Sequence, residues 1–206
     1  MATSREIFMR NGYVEASMDT IAQHSGVSKT TLYAHFDSKE ALFNQVVARV
    51  VAERGSHALD ALLDVAPGQT LRQRLVAIGC HILERLLDPE TSALMRLCVI
   101  ESARMPRLTY DGLGEAHRRL VATLARFFRD HAQPAGLHID DAREAADLFV
   151  VLTMRDFMLE AMLPWSEVNT PDAHRQNAER VADIILRLYS SPGGAAVTPS
   201  VRLESV

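Results

Sequence analysis

The chain has 206 residues, 48% of them hydrophobic, which is enough for a small module followed by a second domain with a sizeable core. No apolar run approaches the ~20 residues that span a bilayer, and no N-terminal segment has the layout of a signal peptide, so a cytoplasmic location without a membrane partner is expected. Net charge is −4, and the two cysteines, Cys80 and Cys98, are too few for a disulfide framework and lack zinc-site spacing, so neither metal nor cofactor is expected.

In chain order, Thr3 with Glu6 can form a capping box, giving a first helix of about two turns that ends at Gly12. The stretch 17–42 reads as a helix-turn-helix with its recognition helix and the start of the helix behind it. Ser17 is a good N-cap and Asp19 places negative charge at the positive end of the helix dipole, so a helix begins near Met18. Ile21 and Ala22 supply its buried face, and Gly26 can take the positive φ that reverses the chain. Val27 then packs into the elbow. Ser28 caps a second helix whose Leu32 and Phe36 point inward, leaving Lys29, Thr30, Thr31 and Tyr33 outside. Asp37 with Glu40 makes a capping box for the next helix.

That exposed set has the chemistry of a DNA reader. A recognition helix enters the major groove by its N-terminal residues, where a lysine donates to guanine acceptors and a threonine bonds a base edge or touches a thymine methyl. Ser28, Lys29, Thr30 and Thr31 fit that role, with Ser17 beside them at the start of the preceding helix. Tyr33, His35 and Lys39 are placed to donate to phosphates, which fix register without carrying sequence information. Lys29 and Lys39 are also the only lysines in the chain. The charge is unevenly divided: six cations balance six acids in residues 1–54, while sixteen face twenty in 55–206. An acidic body discourages non-specific adhesion to nucleic acid and leaves the local cations to make the contacts.

Gly12-Tyr13, the run Ser17-Met18-Asp19-Thr20-Ile21-Ala22, the run from Gly26 to Tyr33, His35-Phe36 and Ser38-Lys39-Glu40 together resemble the N-terminal domain of TetR-family transcriptional regulators. The resemblance covers roughly the first quarter of the chain. It implies an all-α fold, with an N-terminal three-helix helix-turn-helix domain and a C-terminal helical ligand-binding and dimerisation domain. Family members usually have a longer first helix; here Phe8 follows Met1 almost at once, so either this helix is short or the start lies upstream. The resemblance implies minor-groove or phosphate contacts from residues ahead of that helix, and the short start leaves them open.

The third helix of the module is expected over 38–54, with Leu42, Phe43, Val46, Val47, Val50 and Val51 on a wide apolar stripe. It links the reader to the rest. Leu59, Leu62 and Leu63 could extend it as far as Pro67-Gly68. Thr70 with Gln73 caps a helix carried by Leu71, Leu75, Ile78, Ile82 and Leu86. Asp88 and Pro89 open the next, which Pro106 terminates. A further helix runs from about Thr109 or Leu113 to His131. Asp141 and Glu144 open another that reaches Leu163 before Pro164-Trp165, and Thr170-Pro171 opens the last, ending near Leu188. The count is about nine helices with no convincing strand. The expected domains are 1–54, the DNA-binding domain; 55–190, the ligand-binding and dimerisation domain; and 191–206, a disordered tail rich in Ser, Pro and Gly. The stretch 96–112, with Glu101, Arg104, Met105, Pro106 and Tyr110, resembles the C-terminal region of the AefR-like branch.

Polar residues interrupting apolar stripes mark a candidate effector site, because an apolar cavity with a few convergent polar groups is the usual form of a small-molecule site. Glu101 shares a face with Leu94, Leu97, Cys98 and Met105. His117 aligns with Leu113, Leu120, Leu124, Phe127 or Phe128, and His131, and Thr153 with Phe149, Val150 and Phe157. The candidate lining is Cys98, Glu101, His117, Leu120, Leu124, Phe128, Phe149, Thr153 and Phe157. Each polar member has a structural alternative: Glu101 paired with Arg104 or Arg155, His117 as a satisfied core histidine, Thr153 bonded to its own helix. Cys80 and Cys98 read as buried inert thiols, against a redox or covalent sensor.

A two-fold operator needs two recognition helices separated by about 34 to 36 Å or a multiple, which one module cannot provide, so a homodimer is expected. The resemblance places its interface on the final two helices, 142–163 and 171–188. The expected function is a homodimeric transcriptional regulator, a repressor released from a double-stranded DNA operator by a small apolar or aromatic effector. The rival reading is a helical ligand- or partner-binding protein with a vestigial reader. No nucleophile elbow, phosphate loop or Ser/His/Asp arrangement points to an enzyme.

Overall fold

The computed structural model describes residues 2–63, 68–102, 106–163 and 169–190, and their side chains except at 2, 51–62 and 106–112. Among these residues there are nine α-helices and no strand. The expected tail over 191–206, Pro164-Trp165, Pro67, and the side chains of Val51, Leu59, Leu62, Arg104, Met105 and Tyr110 lie outside the described residues.

The first helix, α1 (Ala2–Glu15), is broken at Gly12, where φ 76° and ψ 174° are open only to glycine. It is longer than two turns, and Thr3 lies inside it rather than at its cap. Ser17 caps α2 (Met18–Ser25) by accepting from the Thr20 N–H at 3.0 Å, and Gly26 ends it in the left-handed region at φ 67°. Ser28 caps α3 (Lys29–His35) through the Thr31 N–H, also at 3.0 Å. Val27, expected in the elbow, is instead exposed.

Next comes α4 (Lys39–Leu63), 25 residues long, whose cap is Ser38 rather than Asp37: the Ala41 N–H bonds Ser38 Oγ at 3.0 Å. It runs straight through Gly55, past the expected end near Arg54. A glycine inside a helix costs only about 1 kcal/mol, which packing at both ends of the rod outweighs.

Behind it come α5 (Leu71–Leu86), α6 (Pro89–Ser102), α7 (Pro106–His131), a 3-10 turn at Gln133–Ala135, α8 (Ala142–Met162) and α9 (Pro171–Tyr189). Thr70 and Gln73 cap each other reciprocally, Asp88 takes the Thr91 N–H, Asp141 those of Arg143 and Glu144, and Thr170 that of Ala173. Pro106 does not terminate a helix; it opens α7, in the first-turn position where the missing N–H is harmless.

Two main cores result. The body core joins α5, α7, α8 and α9 around Leu75, Ile78, Leu124, Phe128, Phe149 and Ile185. Here α5 and α9 approach so closely that a Cβ on Gly79 would lie 2.9 Å from the Ala178 Cβ. The reader core holds Phe8, Tyr13, Ile21, Leu32, Phe43 and Val47, with the Phe43 ring edge-on to both Phe8 and Tyr13 at 5.0 and 5.2 Å. It also takes in Leu94 and Cys98 from α6, so reader and body share a seam. An ion pair from Arg5 Nε to Glu90 Oε1, 2.9 Å, lies along it.

Candidate nucleic-acid interface

Two serine caps and one glycine turn set α3 across α2 with its N-terminus outward. Leu32 is buried beneath it, whereas Ser28, Lys29, Thr30, Thr31, Tyr33 and His35 are all exposed, as is Ser17 at the head of α2. The seven therefore lie at the surface around one pair of helix N-termini and one short helix. Ser28 Oγ and Thr31 Oγ1 are 2.8 Å apart, as are Ser17 Oγ and Thr20 Oγ1, so the capping hydroxyls are oriented before any ligand arrives.

Lys29 has a companion that the residue order does not announce. Its Nζ lies 2.7 Å from Asp19 Oδ1 across the elbow, and that carboxylate raises the ammonium above the usual lysine value. Both side chains are well exposed, so the pair is weak and can open when a stronger acceptor is offered.

Lys39 corrects an expectation. Its Nζ donates to the carbonyls of Tyr13, Val14 and Ala16 at 2.8, 3.2 and 2.8 Å and sits 4.4 Å from the centre of the Tyr13 ring. All three ammonium protons are engaged, leaving none for a phosphate. A hint was available: a cation at the first position of a helix is repelled by the dipole there and needs another partner. The partner is the carbonyl-rich end of α1.

The candidate effector residues do not converge. Cys98 and Glu101 lie at the seam with the reader; Cys98 is fully buried, and its thiol is pushed up to about 11 by burial, which suits an inert side chain. Glu101 is only 5% exposed, and its Oε2 has no hydrogen-bond partner among the described residues. Arg155, one expected partner, instead pairs with Asp156 at 2.8 Å.

Leu124, Phe128 and Phe149 are buried within the body core, with Leu120 half-buried against it. Phe157 belongs to a third cluster with Leu83, Leu86 and Ala161, its ring edge-on to His174. Thr153 is buried and donates to its own helix at the Phe149 carbonyl, 2.7 Å away.

His117 is exposed, with Nε2 3.0 Å from Asp147 Oδ1. Its helical face is the expected one, but the packed core begins at Val121, one turn further on. At the level of His117 the face opens into a cleft of about 340 Å³ lined by His117, Arg118, Val121, Asp141, Arg143, Glu144 and Asp147. These side chains are mostly charged, so this is not the apolar cavity expected.

The family model described as "AefR-like transcriptional repressor, C-terminal domain" matches residues 73–191, and that described as "Bacterial regulatory proteins, tetR family" matches residues 1–46. The chain is 40% identical over 140 residues to the HTH-type transcriptional activator FasR of Mycolicibacterium smegmatis, covering 59% of this chain and 63% of FasR. It thus spans less than two thirds of FasR's length. The HTH-type transcriptional regulator TtgW of Pseudomonas putida is 28% identical over 127 residues, 60% of this chain and 82% of that one. Among solved structures, a TetR-family protein of Mesorhizobium loti superposes with a TM-score of 0.78 at 24% identity, covering 92% of this chain and 94% of that one. The flavonoid-responsive regulator FrrA gives 0.71 at 31% identity, with 93% and 95% covered.

Proposed function

Because the chain belongs to the TetR family of bacterial transcriptional regulators, AefR-like in its C-terminal part, we propose that it is a homodimeric repressor that leaves its operator when a small apolar or aromatic effector binds the body. The observation that carries the reading is the outward N-terminus of α3, where Ser28, Lys29, Thr30 and Thr31 are exposed in succession above a buried Leu32. Lys29 and the two threonines read base edges; Tyr33, His35 and Ser17 hold the phosphates. In this reading Lys39 makes no DNA contact.

Two further observations support the pairing and the effector class. Val151, Met158 and Leu159 on α8 and Leu188 on α9 are large apolar side chains left exposed, on the helices expected to meet a second copy. Residues 55–190 act as the effector and pairing domain, residues 1–54 as the reader. FrrA is by name responsive to flavonoids, which are aromatic, and that favours an aromatic effector here. Coupling of effector to DNA needs little energy: a hundredfold loss of operator affinity corresponds to about 2.7 kcal/mol of differential binding.

FasR's description as an activator favours a second reading, in which the same DNA grip recruits rather than blocks transcription. One experiment separates them. A reporter fused to the DNA flanking the gene for this protein should rise when that gene is deleted; a fall would establish activation. Failure of the purified protein to shift any duplex from that region, or to sediment as a dimer at micromolar concentration, would remove the proposal altogether.

A further inference from the structure

Lys39 and Arg74 occupy positions that elementary electrostatics disfavours, and they lie at opposite ends of the same helix, the one on it and the other against it. Lys39 is the first residue of α4, where the helix dipole repels positive charge. Arg74, on α5, is only 4% exposed, and among the described residues no carboxylate pairs with it. Its Nη2 donates at 2.7 Å to the carbonyl of Leu63, the last residue of α4. The guanidinium stacks 4.5 Å from the centre of the Phe127 ring, and its Nε has no hydrogen-bond partner among the described residues. Burying a cation without a counter-ion costs several kcal/mol, roughly, and an apolar side chain of similar length would avoid that cost.

What both groups obtain in exchange is a fixed contact with a helix C-terminus. Lys39 reaches from the start of α4 to three carbonyls around the end of α1, and Arg74 reaches from α5 to the end of α4. The rod between them is 25 residues, about 37 Å at 1.5 Å per residue. A tilt of about 5° at the body end would displace the reader end by about 3 Å, close to the rise of one base pair. Fastening both ends is therefore what a pair of readers needs if it is to present a defined separation.

We propose that Lys39 and Arg74 are positioning residues that fasten the two ends of α4 and thereby set the separation at which a paired protein presents its recognition helices. The proposal rests on the reading of this chain as a paired DNA reader. It assigns neither residue a contact with DNA.

The test uses the full chain and duplexes selected by it from a randomised library, re-synthesised with the two half-sites moved apart or together by one or two base pairs. Binding is followed by fluorescence anisotropy at several salt concentrations. The wild-type protein should show one preferred spacing. Lys39→Met and Arg74→Met should each reduce that preference at least threefold, Lys39→Arg and Arg74→Lys should restore most of it, and Lys39→Met should keep the wild-type salt dependence.

Equal loss of affinity at every spacing would reveal mere destabilisation and overturn the proposal. So would a salt slope that falls by about 0.9 for each lysine removed, the signature of a lost phosphate contact. If a methionine variant does not fold by circular dichroism, Lys39→Gln and Arg74→Gln, which retain an uncharged N–H donor group, are read in the same way. A wild-type chain that binds no duplex overturns the paired-reader reading and the proposal with it; a spacing preference that survives both substitutions overturns the proposal alone.

Discussion

In the reader, the polar residues singled out by chemistry surround one small core and, Lys39 excepted, face water around α3 and the head of α2. In the body, the residues singled out by interrupted stripes fall at the seam, in the main core, in a third cluster and at the surface. The difference lies in how far each arrangement depends on distant packing. Helices of seven and eight residues, each with a serine cap, have little freedom in which face they bury. Helices of 21 and 26 residues cross several neighbours, so a residue's face does not reveal what it meets.

The largest expected effects would test whether the two cores are separable. Phe43→Ala and Phe149→Ala should each cost about 3–5 kcal/mol, as truncation of a fully buried ring does. Hydrogen exchange should show the first opening α1 to α3 and the second opening α5, α8 and α9; equal opening of both regions by either variant would merge the two into one cooperative unit.

Next in size is Lys29→Ala, which should lose about 1–3 kcal/mol of specific operator affinity and relax base preference while leaving the melting temperature unchanged. An unaltered gel shift would remove the reading face.

At the seam, Glu101→Leu should stabilise the protein by about 1–2 kcal/mol, since it deletes a buried carboxylate oxygen that has no hydrogen-bond partner among the described residues. Urea unfolding reads this directly. A lower midpoint would show that the carboxylate holds reader and body together.

The smallest effect separates the third cluster from the reader. Burial holds His174 below its ordinary value of 6.5, as it does His131, so protonation opposes the folded state of each. The stability they contribute is present above that unfolded value and is lost as pH falls below it. The melting temperature should decline on acidification from pH 7.5 to 5.5, and His174→Gln should make the decline shallower. An identical decline in wild type and variant would mean that the folded protein accommodates the charged imidazole.

Legibility from sequence followed the same division. The caps at Ser17, Ser28, Thr70, Asp88, Asp141 and Thr170 stood where side-chain oxygen and helix start are adjacent in the chain. Misjudged starts were Thr3, which lies inside α1, Asp37, one residue before the actual cap Ser38, and Pro106, which opens a helix rather than closing one; at Gly55 the helix took the longer of the two courses the sequence allowed. Thr153 bonds its own helix, the local alternative to lining a site, while His117 lies on the expected face one turn short of the core. Helical phase supplies direction around an axis. It supplies no position along it.

From the chain alone came the family, the all-helical fold, the cap residues and the outward chemistry of α3, because each depends on residues a few positions apart whose hydrogen bonds close within one turn. Tertiary structure decided the rest: that Asp19 reaches Lys29, that Lys39 grips α1 instead of a phosphate, that Arg74 holds the far end of α4, and that one oxygen of Glu101 is sealed at the seam with no hydrogen-bond partner among the described residues. Those contacts join helix ends from 10 to 26 residues apart. Which carbonyl or carboxylate a cation meets at such range is settled by how whole helices cross, and no local pattern records it.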